Sequence, residues 1–215
     1  MIISVEEPIN RTKWLGYLGV PDGGNRKLNK QLDEADKLLK DASNIQAIYK
    51  VMNIEDVRME GFSIAKHLEG CEQVAVMAVT LGVGVDNLLR QKQITDMALA
   101  VILDCGASLL IEQACDIYEE VIKSEISGYM TSRFSPGYGD YPLEYQQNVI
   151  QYVDGPRKIG LNVTENHLMI PRKSVTALMG IADHPVTGRL ATCGECILRE
   201  KCTLRSEGKH CGDRF

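Results

Sequence analysis

The stretch EQVAVMAVTLGVGVDNLLRQ, residues 72–91, decides which fold this chain can adopt. Its first half, rich in β-branched residues from Val74 to Thr80, reads as a buried strand. Gly82 and Gly84 then turn the chain into a helix, and strand, glycine turn and helix are the parts of a dinucleotide or phosphate site. The match fails at two points: Asn87 occupies the place of the third glycine, and no Lys-Ser or Lys-Thr follows as a P-loop requires. The stretch is therefore a plain strand-to-helix turn, and a doubly wound nucleotide fold loses its best support.

On the amino-terminal side, LNKQLDEADKLLKDA (28–42) repeats Leu28, Leu32, Ala35, Leu38, Leu39 and Ala42 at helical spacing, with a solvated charged face. IQAIYKVM (45–52) reads as a strand, and SIAKHLEG (63–70) as a short helix closed by Gly70. On the carboxy-terminal side, Thr95 is placed to cap a long helix over 96–123. Its apolar stripe is Leu99, Ile102, Leu103, Gly106, Leu110, Gln113, Ile117 and Val121. Cys105 and Cys115 lie off that stripe, which makes the helix apolar on more than one side and predicts a central position. Glu112 sits roughly 120° from the stripe at 100° per residue, a place open either to solvent or to a cleft. LEYQQNVIQYV (143–153) predicts a helix ended by Asp154-Gly155-Pro156, and 163–183 predicts two strands joined around Pro171. Helices and strands mix without regular alternation, so the class is α+β.

The 215 residues, 44% of them hydrophobic, suffice for one sizeable domain with a small appendage. A formal net charge of −5 with scattered Lys and Arg argues against a nucleic-acid partner. No segment is read as reaching the ~20 apolar residues of a bilayer span, and the start shows no signal peptide, so the expectation is a cytoplasmic protein with no membrane partner. Seven cysteines in such a chain are not a disulfide framework: Cys71, Cys105 and Cys115 read as small core residues.

The loop RFSPGYGDYP (133–142) combines an arginine, turn residues and two tyrosines. The order of a long Ala- and Leu-rich helix, then RFSPGYGDYPLEYQ, then LMIPRKSVTALMGI, resembles the reactivation domain of cobalamin-dependent methionine synthase. Arg133, Gly137 and Tyr138 match that family's Arg-x-x-x-Gly-Tyr motif, and Pro171, Ser174 and Val175 its Pro-x-x-Ser-Val segment. The resemblance covers about residues 70 to 185, and WLGYLG (14–19) is similar to the opening of stand-alone members. It implies a curved antiparallel sheet with flanking helices and a groove for S-adenosylmethionine. Within that groove it implies a ligand-binding set of Arg133, Pro136, Gly137, Tyr138, Tyr141 and Glu112. Arg133 pairs with the ligand carboxylate through two parallel hydrogen bonds, Gly137 admits the ligand to the backbone, and Tyr138 lies beside the sulfonium. The chain departs from the family where Gly139, Asp140 and Tyr141 intervene before Pro142. Asp140 is read as a cap for the following helix, its alternative being the sulfonium charge.

The sequence has no Asp-x-His-x-x-Gly stretch to ligate cobalt, since DHPVTG (183–188) carries its histidine one place early. Cobalamin is thus expected only through a partner: a cobalamin-carrying methionine synthase or another corrinoid protein, with an electron donor such as a flavodoxin or ferredoxin. Residues 1–188 form the activation-domain-like unit and 189–215 a cysteine-rich tail. There Cys193, Cys196, Cys202 and Cys211 follow a C-x2-C-x5-C-x8-C spacing suited to zinc or an iron–sulfur cluster, with His210 able to replace Cys211. Three functions remain open: an activation subunit for a separate methionine synthase, a reductive activator of another corrinoid methyltransferase, and a metal-knotted interaction protein without a small-molecule site.

Overall fold

The computed structural model describes residues 1–20, 24–186 and 200–201. In chain order the elements are α1 (Arg11–Tyr17), α2 (Arg26–Ala42), β1 (Gln46–Asn53), α3 (Phe62–His67), β2 (Gln73–Thr80), α4 (Val83–Thr95) and α5 (Met97–Glu125). There follow β3 (Tyr129–Met130), α6 (Gln146–Tyr152), α7 (Gly155–Ile159), β4 (Asn162–Val163), β5 (Met169–Ile170) and β6 (Ser174–Ala182). The class is α+β, as expected: a four-stranded antiparallel sheet in the order β1-β2-β6-β3, with helices on both faces and a small β4-β5 hairpin beside it.

The strand that opened the sequence reading lies at the centre. β2 pairs with β1 from Gln46↔Thr80 to Asn53↔Gln73 and with β6 from Gln73↔Ile181 to Thr80↔Ser174. Its alternate side chains enter two cores. Ala75, Met77 and Val79 face α1, α2, α4 and α5, whereas Val74, Val76 and Ala78 face α3, α6 and α7. Burial on both faces is why the strand is apolar throughout instead of alternating.

α5 is the spine of the first layer. Its amino terminus is capped by Asp96, whose side chain accepts from Leu99 N at 3.0 Å. Thr95, expected to be the cap, instead ends α4 and donates its hydroxyl to Gln91 O at 3.1 Å. The apolar stripe holds through Leu110 and then shifts: Ala114, Cys115, Tyr118 and Ile122 are buried, Gln113 and Val121 are half-buried, and Ile117 is 41% exposed. Apolar side chains surround much of this helix, so their spacing alone does not define its phase. α5 is also long and apolar enough, by length and composition, to cross a membrane, which corrects the sequence reading; most of that segment is buried against the sheet and its neighbours. Cys115 is buried as expected, while Cys71 and Cys105 are only partly so.

Three local readings also change. Leu143–Tyr145 forms a 3-10 turn before α6, and Asp154-Gly155-Pro156 starts α7 instead of merely stopping a helix, because Pro156 fits the first turn. Three strands, not two, occupy 162–182, with the break at Pro171 as expected. α1 had no counterpart in the sequence reading. Trp14 seats it on α5 by donating Nε1–H to Ile102 O at 2.9 Å, its ring filling the space a side chain at Gly106 would occupy.

Candidate functional site

The 133–142 loop grows from the sheet edge. Phe134 exchanges backbone hydrogen bonds with Leu178, at 3.0 and 2.8 Å, and Ser135 Oγ donates to Thr176 O at 2.7 Å. Gly137 N donates to Tyr141 O at 2.8 Å and Tyr138 N to Ser135 O at 3.1 Å, closing the turn that Gly137 opens with φ 91°. Asp140 fastens the loop from outside. Its carboxylate accepts from Phe62 N at 2.7 Å and Ser63 N at 2.8 Å, so it caps α3 and not the helix that follows it. Hydrogen bonds from Ser63, then from Phe62, hold this carboxyl below the usual aspartate range. A cap made between residues 77 apart leaves no local mark in the sequence.

The two motifs meet on one stripe of α5. Asp104, Ser108, Glu112 and Asp116 recur every four residues and so share a face. Lys173, inside the Pro171 to Val175 segment, reaches the first turn of that stripe: Nζ contacts Asp104 O at 3.0 Å, Asp104 Oδ1 at 2.9 Å and Ser108 Oγ at 2.9 Å. Arg133 reaches the other end, with Asp116 Oδ1 at 2.6 Å and Glu112 Oε2 at 3.6 Å from Nη2, and Glu119 Oε2 at 3.2 Å from Nε. Burial opposes the Arg133 charge, but Cys115 and the three carboxylates outweigh it, so the pKa of this guanidinium is raised. Nη1 is buried without a hydrogen-bond partner. The Cys115 thiol packed beside it is pushed up to about 12, mainly by burial, and is therefore an inert neutral group.

The other predicted residues divide. Tyr138 (60% exposed) and Gly137 face solvent, as does Glu112, the most distant partner of Arg133. Pro136 and Tyr141 are buried, Tyr141 in the second core with its hydroxyl unpartnered. Ser174 Oγ donates to Pro171 O at 2.8 Å and lies 2.8 Å from the Thr80 hydroxyl at the sheet end.

Sequence reasoning missed Tyr17. In the last turn of α1, it stands within electrostatic range of Glu112, Cys105 and Tyr138, and burial followed by the Glu112 charge pushes its phenol up. The WLGYLG signal contained it, but only the seating of Trp14 on Gly106 brings it to the stripe. Beyond the Lys173 end lies a cleft of about 90 Å³ lined by Asp86, Arg90, Gln93, Asp104 and Arg172.

No protein-family model matches this sequence, and no curated protein matches it. Among solved structures, the fold is similar to the crystal structure of the MetH reactivation domain bound to AdoHcy. The TM-score is 0.52 at 15% identity, over 88% of this chain and 73% of that one. A likeness at that identity establishes a shared fold. Cys193, Cys196, Cys202 and Cys211 lie outside the described residues. Among the described residues no group of three or more His, Cys, Asp or Glu is arranged to hold a metal.

Proposed function

We propose that this chain binds S-adenosylmethionine and, in the cytoplasm, supports reductive methylation of cob(II)alamin carried by a separate methionine synthase. The observation that carries the reading is the convergence of Arg133 and Lys173, one from each motif, on one polar stripe of α5 in a fold shared with a reactivation domain that binds AdoHcy.

The charges of the stripe suit this ligand. Three carboxylates surround one guanidinium, so the Arg133 end favours a molecule of net positive charge, and S-adenosylmethionine carries an ammonium and a sulfonium against one carboxylate. Glu112, exposed and 3.6 Å away, is the weakest partner of Arg133. A ligand carboxylate displaces it and takes the planar fork, while Glu112 turns to the positive groups. Gly137, with no side chain, keeps the loop backbone open beside them. A separate electron-donor protein such as a flavodoxin or ferredoxin supplies the one electron that takes cob(II)alamin to cob(I)alamin, and the ligand supplies an electrophilic methyl group, its sulfur–methyl bond breaking to leave the neutral thioether. The residues of this chain orient that ligand toward a cobalt that another protein presents, and orientation is their contribution to rate. The four tail cysteines fit a metal centre by spacing, an iron–sulfur cluster if they deliver the electron and zinc if they brace the tail.

Isothermal titration tests the reading. Arg133→Ala is expected to weaken S-adenosylmethionine binding by about 1.5 to 3 kcal/mol with the fold intact, the range for a charge-assisted hydrogen bond. Unchanged affinity in the folded variant would refute it. For the tail, anaerobically purified protein is expected to contain iron and sulfide, with visible absorption lost in Cys196→Ser, or zinc without colour; protein containing neither metal removes that part of the proposal.

A further inference from the structure

The two carboxylates that line the cleft beyond the Lys173 end of the stripe are already committed; the two guanidiniums that line it are not. Asp86 stands four residues before Arg90 on α4, the spacing of an intrahelical ion pair. Its Oδ2 instead accepts from Arg172 N at 2.9 Å, and its Oδ1 is buried without a hydrogen-bond partner. Asp104 is taken by Lys173, whose Nζ lies 2.9 Å from Oδ1 and is held as well by Asp104 O and Ser108 Oγ. Arg90 and Arg172 are exposed, and the side chain of neither makes a hydrogen bond or ion pair with any described residue. We propose that this cleft binds a phosphoryl oxyanion, held between the two guanidiniums.

Size and charge select the ligand. At about 90 Å³ the cleft is well below the roughly 300 Å³ at which sites for whole drug-sized ligands begin, so it takes a single group and leaves the remainder of the molecule outside. The guanidiniums come from different elements, Arg90 from α4 and Arg172 from the turn before β6. A carboxylate has two oxygens in one plane, which one planar fork occupies. A phosphoryl group has three in a tetrahedral array and nearly two negative charges at neutral pH, enough for both forks. Gln93, three residues beyond Arg90 and so on the same face of α4, adds an amide donor at the cleft. The turn at Gly82–Gly84 does not line it. Nor is it part of the groove proposed above: S-adenosylmethionine has no phosphoryl group, and Asp104 stands twelve residues from the Asp116 that pairs with Arg133, about 18 Å at 1.5 Å per residue. The cleft therefore serves a second, different ligand.

The test titrates inorganic phosphate into the full chain at constant ionic strength, with the arginine Nε–H resonances followed by NMR. Saturable shifts are expected for Arg90 and Arg172. Arg90→Ala and Arg172→Ala should each weaken binding about tenfold, the loss of one charge-assisted contact, and the double variant should not saturate. Circular dichroism and melting should be unchanged in all three, because neither side chain holds the fold together. Acetate should bind more weakly than phosphate; acetate binding as tightly would make this a carboxylate site and overturn the proposal. Two further arms name the source of the phosphoryl group by comparing the unmodified chain with the double variant. Binding of glycerol 3-phosphate that the double variant loses assigns a soluble ester, and binding to vesicles of phosphatidylglycerol in phosphatidylcholine that it loses assigns a lipid headgroup. No saturable response of the unmodified chain to phosphate, or undiminished binding in the double variant, would overturn the site. Either result leaves S-adenosylmethionine binding, read in a separate titration, untouched.

Discussion

Two glycine turns, Gly82–Gly84 and Gly137–Gly139, look alike in sequence and serve different surroundings. At the first, the chain closes on itself. Gly82 N is taken by Thr80 Oγ1 at 3.1 Å, a Cβ on Gly82 would stand 3.0 Å from Asn44 O, and one on Gly84 would fall far inside contact with Ala42 O. The turn's first amide is thus already taken, and the α2–β1 junction packs directly against both glycines. At the second, the loop is pinned from below but open above: Gly139 packs on Ser63, while a Cβ on Gly137 would meet only the flexible Leu143 side chain, at 3.3 Å. A glycine pair signals close approach. Only the surroundings say whether the approaching partner is the chain's own backbone or a ligand.

The largest expected effect follows at the closed turn. Gly84→Ala drives a methyl group into a backbone carbonyl that cannot rotate away, and is expected to destabilise the protein by about 3 kcal/mol or more, the upper end for overpacking. Chemical denaturation measures this, and a loss below about 1 kcal/mol would show that the turn is looser than its contacts imply. Ligand affinity of the folded fraction should not change.

This contrast also explains what the sequence made legible. α2 and the core half of α5 were readable because burial against a layered sheet imposes a period on apolar residues, and β2 because burial on both faces makes it a continuous apolar, β-branched run. Rejecting the G-x-G turn as a phosphate site was possible because a required residue type was missing. The proposed groove was legible only as motif positions: the sequence names Arg133, Gly137, Tyr138 and Glu112 as candidates, but that Arg133 faces three carboxylates depends on the phase of α5 after Leu110, which apolarity does not define. Tyr17, the Asp140 cap on α3 and the role of Lys173 arise from tertiary contacts between distant residues. Pro136 and Tyr141 sit in the same motif stretch as Tyr138 yet are buried, because the Gly137–Tyr141 hydrogen bond gathers the two ends of the turn against the fold and leaves Tyr138 at its apex.

At the open turn the steric effects are smaller. Gly139→Ala places a Cβ 2.5 Å from Ser63 Oγ at φ 56° and is expected to cost about 1 to 3 kcal/mol. Part of that cost is the clash and part the backbone. Ser63→Gly combined with it should recover the steric share, and a double-mutant cycle reads the coupling. Strict additivity would show that Ser63 is not the obstacle.

Gly137→Ala sharpens the comparison from the other side. Leu143 can yield, so the stability cost is that of an alanine at positive φ, about 1 kcal/mol. If the loop is open because a ligand approaches it, S-adenosylmethionine affinity should fall by more than stability does. A variant that loses about 1 kcal/mol of stability and keeps full affinity would make this turn equivalent to the closed one.

The smallest effect concerns how the open loop is pinned. The Asp140 carboxyl is held below its ordinary value of 3.8 by hydrogen bonds from Ser63 and then Phe62, so its ionised form is favoured in the folded state. The sign follows from that direction. The stabilisation is complete above pH 3.8 and is lost as pH falls from there through the lower folded-state value. Asp140→Asn retains an acceptor oxygen without the charge, so it should melt slightly earlier than the unmodified protein at neutral pH, with the gap closing in acid. Hydrogen exchange at Phe62 and Ser63 should report the same change locally, because those amides lose their charged acceptor. Parallel melting curves across the acid range would mean that solvent screening cancels the cap, leaving the loop held by Phe134, Ser135 and the Gly137–Tyr141 hydrogen bond. The open turn would then owe its position to the sheet edge alone.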